Sequence, residues 1–156
     1  MTDDRFVTSA AHLSGNADQR IENALAPNGS VVTTLRTAFP HALAIYAFGS
    51  RVQGTARADS DLDLAVLVAG YAEPLLLWLQ ANALAEALGC AVALLDLRAA
   101  STVMQHQILT HGRRLWACEL EAGLFESYVL SEKLALDSAR AGLLADIVQE
   151  GAVYGR

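Results

Sequence analysis

Two short polar stretches in the middle of the chain carry the residue types best suited to chemistry. Gly49 and Ser50 follow the apolar run that ends at Phe48, and after ten further residues Asp61 and Asp63 open the next apolar run. Residues two apart in a strand point to the same face, so Asp61 and Asp63 are predicted to project side by side. Neighbouring carboxylates repel each other unless a cation lies between them. The spacing therefore predicts a divalent metal site.

A third carboxylate, Asp96, stands near the end of another apolar run, AVALLDL. If this run forms a strand beside the second one, we expect Asp96 to reach the face of Asp61 and Asp63. Three carboxylates from neighbouring strands would hold two metal ions for an in-line displacement at phosphorus. Oxygen ligands suit Mg²⁺, with Mn²⁺ as an alternative. We therefore predict Asp61, Asp63 and Asp96 as metal ligands and catalytic residues.

The glycine-serine pair suits the other half of such a reaction, the binding of phosphates. Glycine lets the backbone come close to an anion, and backbone N–H groups with one hydroxyl can hold it. We expect Gly49 and Ser50 to hold the β- and γ-phosphates of a nucleotide, with Arg51 as a further ligand. Other arginines are weaker candidates for the same role: Arg57, Arg113 and Arg114.

The apolar patterning that must position these residues predicts an α/β fold with a small mixed sheet. Strands are predicted at 41–48, at LDLAVLVAG, at 91–97 and, shorter, at RRLWA. Helices are predicted at 18–25, from an N-cap at Ser30 to Pro40, at 73–88, after an N-cap at Ser101, and over 119–148 as one or two amphipathic helices. We expect one domain, with a weakly patterned segment at 1–29, the catalytic part at 30–118 and a helical segment at 119–156 that packs on it or on a partner.

Composition excludes several classes of protein. The formal charge of −6 and the pI near 5.1 argue against broad binding of a nucleic-acid backbone, which requires clustered basic residues. The N-terminal stretch does not resemble a signal peptide, and no apolar run is long enough to span a membrane. The two cysteines, Cys90 and Cys118, form no metal-binding or disulfide pattern. A cytoplasmic protein is expected.

Each motif also has an ordinary structural interpretation. An Asp pair at the start of a strand is often a turn cluster, and Asp59 is best assigned to such a turn. The histidines, including His106 in a predicted helix, are not needed as bases if a metal activates the attacking hydroxyl. The combination favours chemistry over turn structure: a glycine-serine pair after one strand, ten residues, two alternating carboxylates before the next strand, and a lone carboxylate on a third.

This combination resembles the signature of the nucleotidyltransferase superfamily of the DNA polymerase β type. The segment GSRVQGTARADSDLDLAVLV is similar to the sequences of the minimal nucleotidyltransferase (MNT) subgroup. The later segment LLDLRAASTVMQHQILTHGRRLW is similar to the usual continuation of those sequences. The resemblance covers roughly residues 30–117. It implies a polymerase-β-like palm in which Asp61 and Asp63 bind both metals, Asp96 binds the metal that activates the attacking hydroxyl, and Gly49 and Ser50 hold the triphosphate.

The resemblance also implies a function. Many MNT proteins are antitoxins that transfer AMP from ATP to a tyrosine hydroxyl of a HEPN ribonuclease toxin and so silence it. The implied partners are ATP and this toxin, in a hetero-oligomer, without direct contact to nucleic acid or membrane. Two alternatives stay open at this point. One is nucleotidyl transfer to a small molecule such as an aminoglycoside, and the other is an antitoxin without catalysis that acts by occlusion.

Overall fold

Six helices and four strands follow one another along the backbone of residues 5–154, which the computed structural model describes together with the side chains of residues 15–149. In chain order they are α1 (Arg5–Ala24), α2 (Ser30–Ala38), β1 (Ala42–Phe48), α3 (Ser50–Gln53), β2 (Leu62–Val68), α4 (Pro74–Leu88), β3 (Val92–Asp96), α5 (Thr102–His111), β4 (Arg113–Ala117) and α6 (Glu119–Tyr154).

The four strands form one mixed sheet in the order β3-β2-β1-β4. Strand β1 pairs antiparallel with both β2 and β4, whereas β2 and β3 run parallel. The parallel pair follows from the helix between them, because a strand that returns through a crossover helix runs in the same direction as the strand before it. The predicted α/β fold with a small mixed sheet is therefore confirmed.

Both faces of the sheet are covered, so the central strands β1 and β2 are apolar on both sides. In β2, Leu62, Leu64 and Val66 pack against α1, α2 and α4. The residues between them, Ala65 and Leu67, pack against α5 and the first part of α6 on the opposite face. Because side chains alternate along a strand, Asp63 lies on the same face as Ala65, at the edge of the second cluster.

The ends of the helices follow local sequence signals. Helix α4 begins at Pro74 and is followed by Gly89 at φ 73°, as the sequence predicts. Helix α5 is capped by Ser101, whose hydroxyl accepts a hydrogen bond from the backbone N–H of Met104 at 3.2 Å. Two details differ from the prediction: the N-cap of α2 is Gly29 instead of Ser30, and α1 begins at Arg5 instead of residue 18.

The last helix, α6, is one continuous helix of 36 residues, and among its side chains at 119–149 only those of the first part pack on the sheet. Ala122, Phe125 and Val129 are buried, whereas every residue from 137 to 149 is exposed. The exposed side chains of this helix include large apolar ones: Leu120, Leu124, Tyr128, Leu134, Leu143, Leu144, Ile147 and Val148. Among the described residues, none of the helices has the length and apolarity needed to cross a membrane.

Two valines of α6 test this division of the helix. Val129 is fully buried and Val148 is 70% exposed. We expect Val129→Ala to lower the free energy of unfolding by about 2 kcal/mol, because the substitution leaves a cavity beneath the sheet. Val148→Ala, the matched control, should change it by less than ~0.5 kcal/mol. Urea unfolding followed by circular dichroism measures both, and equal losses would contradict the packing described for α6.

Candidate active site

The pairing of β1 with β2 brings the two motifs together. The strands are antiparallel, and Phe48 at the end of β1 lies opposite Asp63 at the start of β2. Gly49, the next residue, therefore lies against the Asp63 side chain. Its backbone has φ 80°, and a Cβ at this position would collide with the Asp63 carboxylate. Only glycine meets both requirements, and Ser50 then begins the short helix α3.

Asp61 and Asp63 form the acidic part of the site. Asp61 is exposed, whereas Asp63 is half-buried. Burial raises the pKa of Asp63, and the charge of Asp61 raises it further. No hydrogen-bond donor among residues 15–149 compensates the Asp63 carboxylate. A divalent cation would supply the missing positive charge, so the pair has the oxygen chemistry and the electrostatic need for a metal ion.

Arg51 has a different place from the one predicted for it. Its Nε donates a hydrogen bond of 3.0 Å to the carbonyl of Ser60, and its Nη1 lies 3.7 Å from Asp18 of α1. The side chain is only 8% exposed. In this structure the guanidinium is therefore engaged with the loop and with α1, and its binding to phosphate stays a prediction. The residue shapes the loop that leads directly into Asp61.

Asp96 does not join the two carboxylates, and the prediction that it reaches their face is wrong. In the parallel pair, Asp96 lies opposite Val66, three residues beyond Asp63 on β2 and thus about 10 Å further along the strand. An odd number of residues also places it on the opposite face of the sheet. Its Oδ2 accepts a hydrogen bond from Ala72 N at 2.8 Å and its Oδ1 from Arg98 N at 3.0 Å. Asp96 therefore ties the loop before α4 to the end of β3.

The β3 residue that does lie beside Asp63 is Ala93. Within residues 15–149, His, Cys, Asp and Glu side chains form no group of three that could hold a metal ion. The predicted set of three carboxylates for two ions is therefore incomplete in the described part of the chain. The sequence carried a signal for this, because the crossover helix α4 already implies that the start of β3, not its end, adjoins the start of β2.

The two arginines of β4 are engaged in ion pairs on opposite faces. Arg113 pairs with Glu22 of α1 at 3.3 Å. Arg114 pairs with Glu119 and Glu126 of α6, and the buried Tyr46 hydroxyl donates to Glu126 at 2.8 Å. Burial and this glutamate raise the pKa of Tyr46 far above its ordinary range, so the hydroxyl stays protonated. These contacts fix helices to the sheet and are not open to a phosphate.

Comparison with known families agrees with this arrangement. Residues 31–119, which are more than half of the chain, match the family described as polymerase beta, nucleotidyltransferase. The chain belongs to this family. The matched region begins in α2 and ends where α6 starts, so it contains the whole sheet, Gly49-Ser50 and both carboxylates.

Known proteins similar to this nucleotidyltransferase include an enzyme and chains of toxin-antitoxin structures. The protein adenylyltransferase MntA of Shewanella oneidensis is 37% identical over 118 residues, which are 76% of this chain and 85% of that protein. A crystal structure of a toxin-antitoxin with AMP-PNP matches with a TM-score of 0.67 at 37% identity, over 76% of this chain and 95% of that chain. A structure of the tri-AMPylated HEPN toxin of S. oneidensis in complex with MNT antitoxin matches with a TM-score of 0.62 at 34% identity, over 76% and 93%.

Two glycines of this nucleotidyltransferase allow a matched test of the close contact between Gly49 and the Asp63 carboxylate. Gly49 and Gly54 have nearly the same φ, 80° and 77°, but a Cβ on Gly54 would meet nothing within 4 Å. Gly54→Ala should cost about 1 kcal/mol of stability from backbone strain alone and leave nucleotide binding intact. Gly49→Ala should cost more and should also abolish binding, because it displaces Asp63. Thermal unfolding and titration with AMP-PNP and Mg²⁺ measure the two effects, and equal behaviour of the variants would contradict this role of Gly49.

The raised pKa of Asp63 predicts how stability depends on pH without metal. An acid whose pKa is higher in the folded state binds more protons there, so its contribution to stability is lost as pH rises above 3.8 through the folded pKa. At neutral pH we therefore expect metal-free Asp63→Asn to unfold at a higher temperature than the wild type. Added Mg²⁺ should stabilise the wild type and not the variant. Thermal unfolding between pH 4 and 8, with EDTA or Mg²⁺, measures both, and a less stable metal-free variant at neutral pH would refute the electrostatic account.

Proposed function

We propose that this chain is a protein adenylyltransferase that transfers AMP from ATP to a tyrosine hydroxyl of a HEPN ribonuclease toxin and thereby neutralises it as an antitoxin. The observation that carries the proposal is the 37% identity with the adenylyltransferase MntA, which this chain matches over 85% of that protein's length. The contact between Gly49 and Asp63 adds the physical argument. It joins a backbone suited to phosphates with a carboxylate suited to a metal ion.

The proposed reaction is a displacement at the α-phosphorus of ATP. The oxygen of the acceptor hydroxyl forms a bond to this phosphorus while the bond to the β-phosphate oxygen breaks. Pyrophosphate leaves and the hydroxyl proton passes to water. Gly49 and Ser50 hold the departing phosphates, and Asp61 with Asp63 holds a divalent ion, Mg²⁺ or Mn²⁺. When bound, such an ion neutralises phosphate charge and orients the α-phosphate for attack.

The surroundings of the site support a protein as the acceptor. Asp61 is exposed and so is Ala93 on the neighbouring edge strand, so the carboxylates lie at an open border of the sheet and not inside an enclosed pocket. Small-molecule sites are usually concave and bury most of their ligand. The exposed apolar side chains of α6 give a partner protein a surface on which to dock. An open site and a long exposed helix favour a macromolecule over an aminoglycoside.

ATP as the donor is supported by the match to a toxin-antitoxin structure with AMP-PNP. The described thiols, Cys90 and Cys118, are unpaired, as is usual where disulfides are kept reduced. We place the activity in the cytoplasm, where ATP is available and a ribonuclease toxin would meet its substrates.

Substitution of the carboxylates tests the proposed activity. Asp61→Ala and Asp63→Ala should each lower AMP transfer on the order of 10²–10³-fold, because each removes a ligand that positions charge at the reacting phosphate. Co-expression with the cognate HEPN toxin followed by intact-mass measurement of the toxin detects added AMP groups. Asp59→Asn is the control, because Asp59 is exposed and lies only two residues from Asp61. The substitution removes the same charge without touching either candidate ligand. It should leave transfer unchanged.

The outcomes separate the three functions considered. A toxin that carries AMP with the wild type and Asp59→Asn, but not with the alanine variants, supports the proposal. A toxin that is neutralised yet has unchanged mass means occlusion and contradicts the proposal. Transfer of AMP to a small molecule without any partner protein would replace the proposed acceptor.

A further inference from the structure

Ala93 occupies the position on β3 where a third metal ligand would lie. It is the register partner of Asp63 in the parallel pair, so the two side chains share a face, and neighbouring strands are only about 4.8 Å apart. Ala93 is also exposed, so a longer side chain has room. A carboxylate here would lie beside Asp63, but the chain has a methyl group.

No other described side chain takes over this task. Asp96 lies on the opposite face and its two oxygens accept backbone hydrogen bonds. Cys90, which lies near Asp61, offers a sulfur atom and is a poor ligand for Mg²⁺, because this ion prefers oxygen. Within residues 15–149, Asp61 and Asp63 are therefore the candidate metal ligands, with no third side chain grouped beside them.

The geometry of the displacement determines which part of the reaction lacks a ligand when position 93 is an alanine. Strand β2 has β1 on one side and β3 on the other. Gly49 and Ser50 follow β1, so the departing pyrophosphate lies on the β1 side. An in-line displacement places the attacking oxygen opposite the leaving group, which is the β3 side, next to Ala93. The missing ligand therefore belongs to the acceptor side of the site.

We propose that this chain holds one divalent ion, the one bound together with the nucleotide, and that Ala93 prevents it from holding a second on the acceptor side. One Mg²⁺ is commonly held by one or two carboxylates together with substrate phosphates and water, which Asp61, Asp63 and a nucleotide supply. A second ion would share the same two carboxylates and gain no further ligand from β3. The inference rests on the proposed function for the side on which the nucleotide lies.

Replacement of one residue tests this inference without any transfer of AMP. The full chain is dialysed to equilibrium with Mn²⁺ and AMP-PNP, and the metal and nucleotide bound per chain are counted against the protein-free compartment. We expect one Mn²⁺ per bound nucleotide for the wild type and two for Ala93→Asp. Ala93→Asn, which adds the same volume without the charge, should bind one. Circular dichroism and thermal unfolding establish that both variants are folded.

Two results would overturn the inference: a second saturable Mn²⁺ in the wild type, or a folded Ala93→Asp that still binds one. Both are independent of the proposed adenylyltransferase activity. If no AMP reaches a toxin, but the wild type binds one Mn²⁺ per nucleotide and Ala93→Asp binds two, the metal inference stands and the proposed function fails. If AMP is transferred to the toxin and the wild type binds two Mn²⁺ ions, the proposed function stands and the metal inference fails.

Discussion

The contact between the end of β1 and the start of β2 determines the whole site. Antiparallel pairing of Phe48 with Asp63 places Gly49 against the Asp63 carboxylate, where a Cβ does not fit. A shift of the pairing by one residue would move Asp61 and Asp63 to the face now occupied by Leu64 and Val66, and Leu62 away from it. The register is fixed because Leu62, Leu64 and Val66 are buried on one face. The apolar residues of β2 thus hold Asp61 and Asp63 at a defined place beside the backbone of Gly49.

This arrangement costs stability, and the cost indicates function. Burial and then the charge of Asp61 raise the pKa of half-buried Asp63, and no described donor compensates its carboxylate. The cores on both faces of the sheet offset the unfavourable charge, as fully buried Leu64 and Ile45 on one face and Leu67 on the other illustrate. A cation that binds the pair offsets this cost, because it favours the ionised form of Asp63. The fold therefore keeps the site ready for a metal ion.

Most of the fold could be predicted from the sequence because its signals are local. Alternation and apolar runs indicate the four strands, and Pro74, Gly89 and Ser101 mark the ends of helices. The extent of α1 could not be predicted, because its pattern is weak and, of its side chains at 15–24, only those of the last turn are buried, at Ile21 and Ala24. The position of Asp96 was mispredicted because strand adjacency alone does not say which ends meet. The parallel direction of β2 and β3 supplies that information. It shows that Ala93, and not Asp96, lies beside Asp63.

Hydrogen bonds distinguish the carboxylate of Asp96 from that of Asp63, the candidate metal ligand. Asp96 is buried, but backbone N–H groups of Ala72 and Arg98 satisfy its oxygens, so its charge has partners within the protein. Asp63 is less buried and has no such donor, so its charge is compensated only by something that binds. Burial and residue type alone rank Asp96 first, and its place near the end of β3 predicts a set of three carboxylates. The partners of each oxygen reverse this order, because a carboxylate already supplied with donors has no need of a metal.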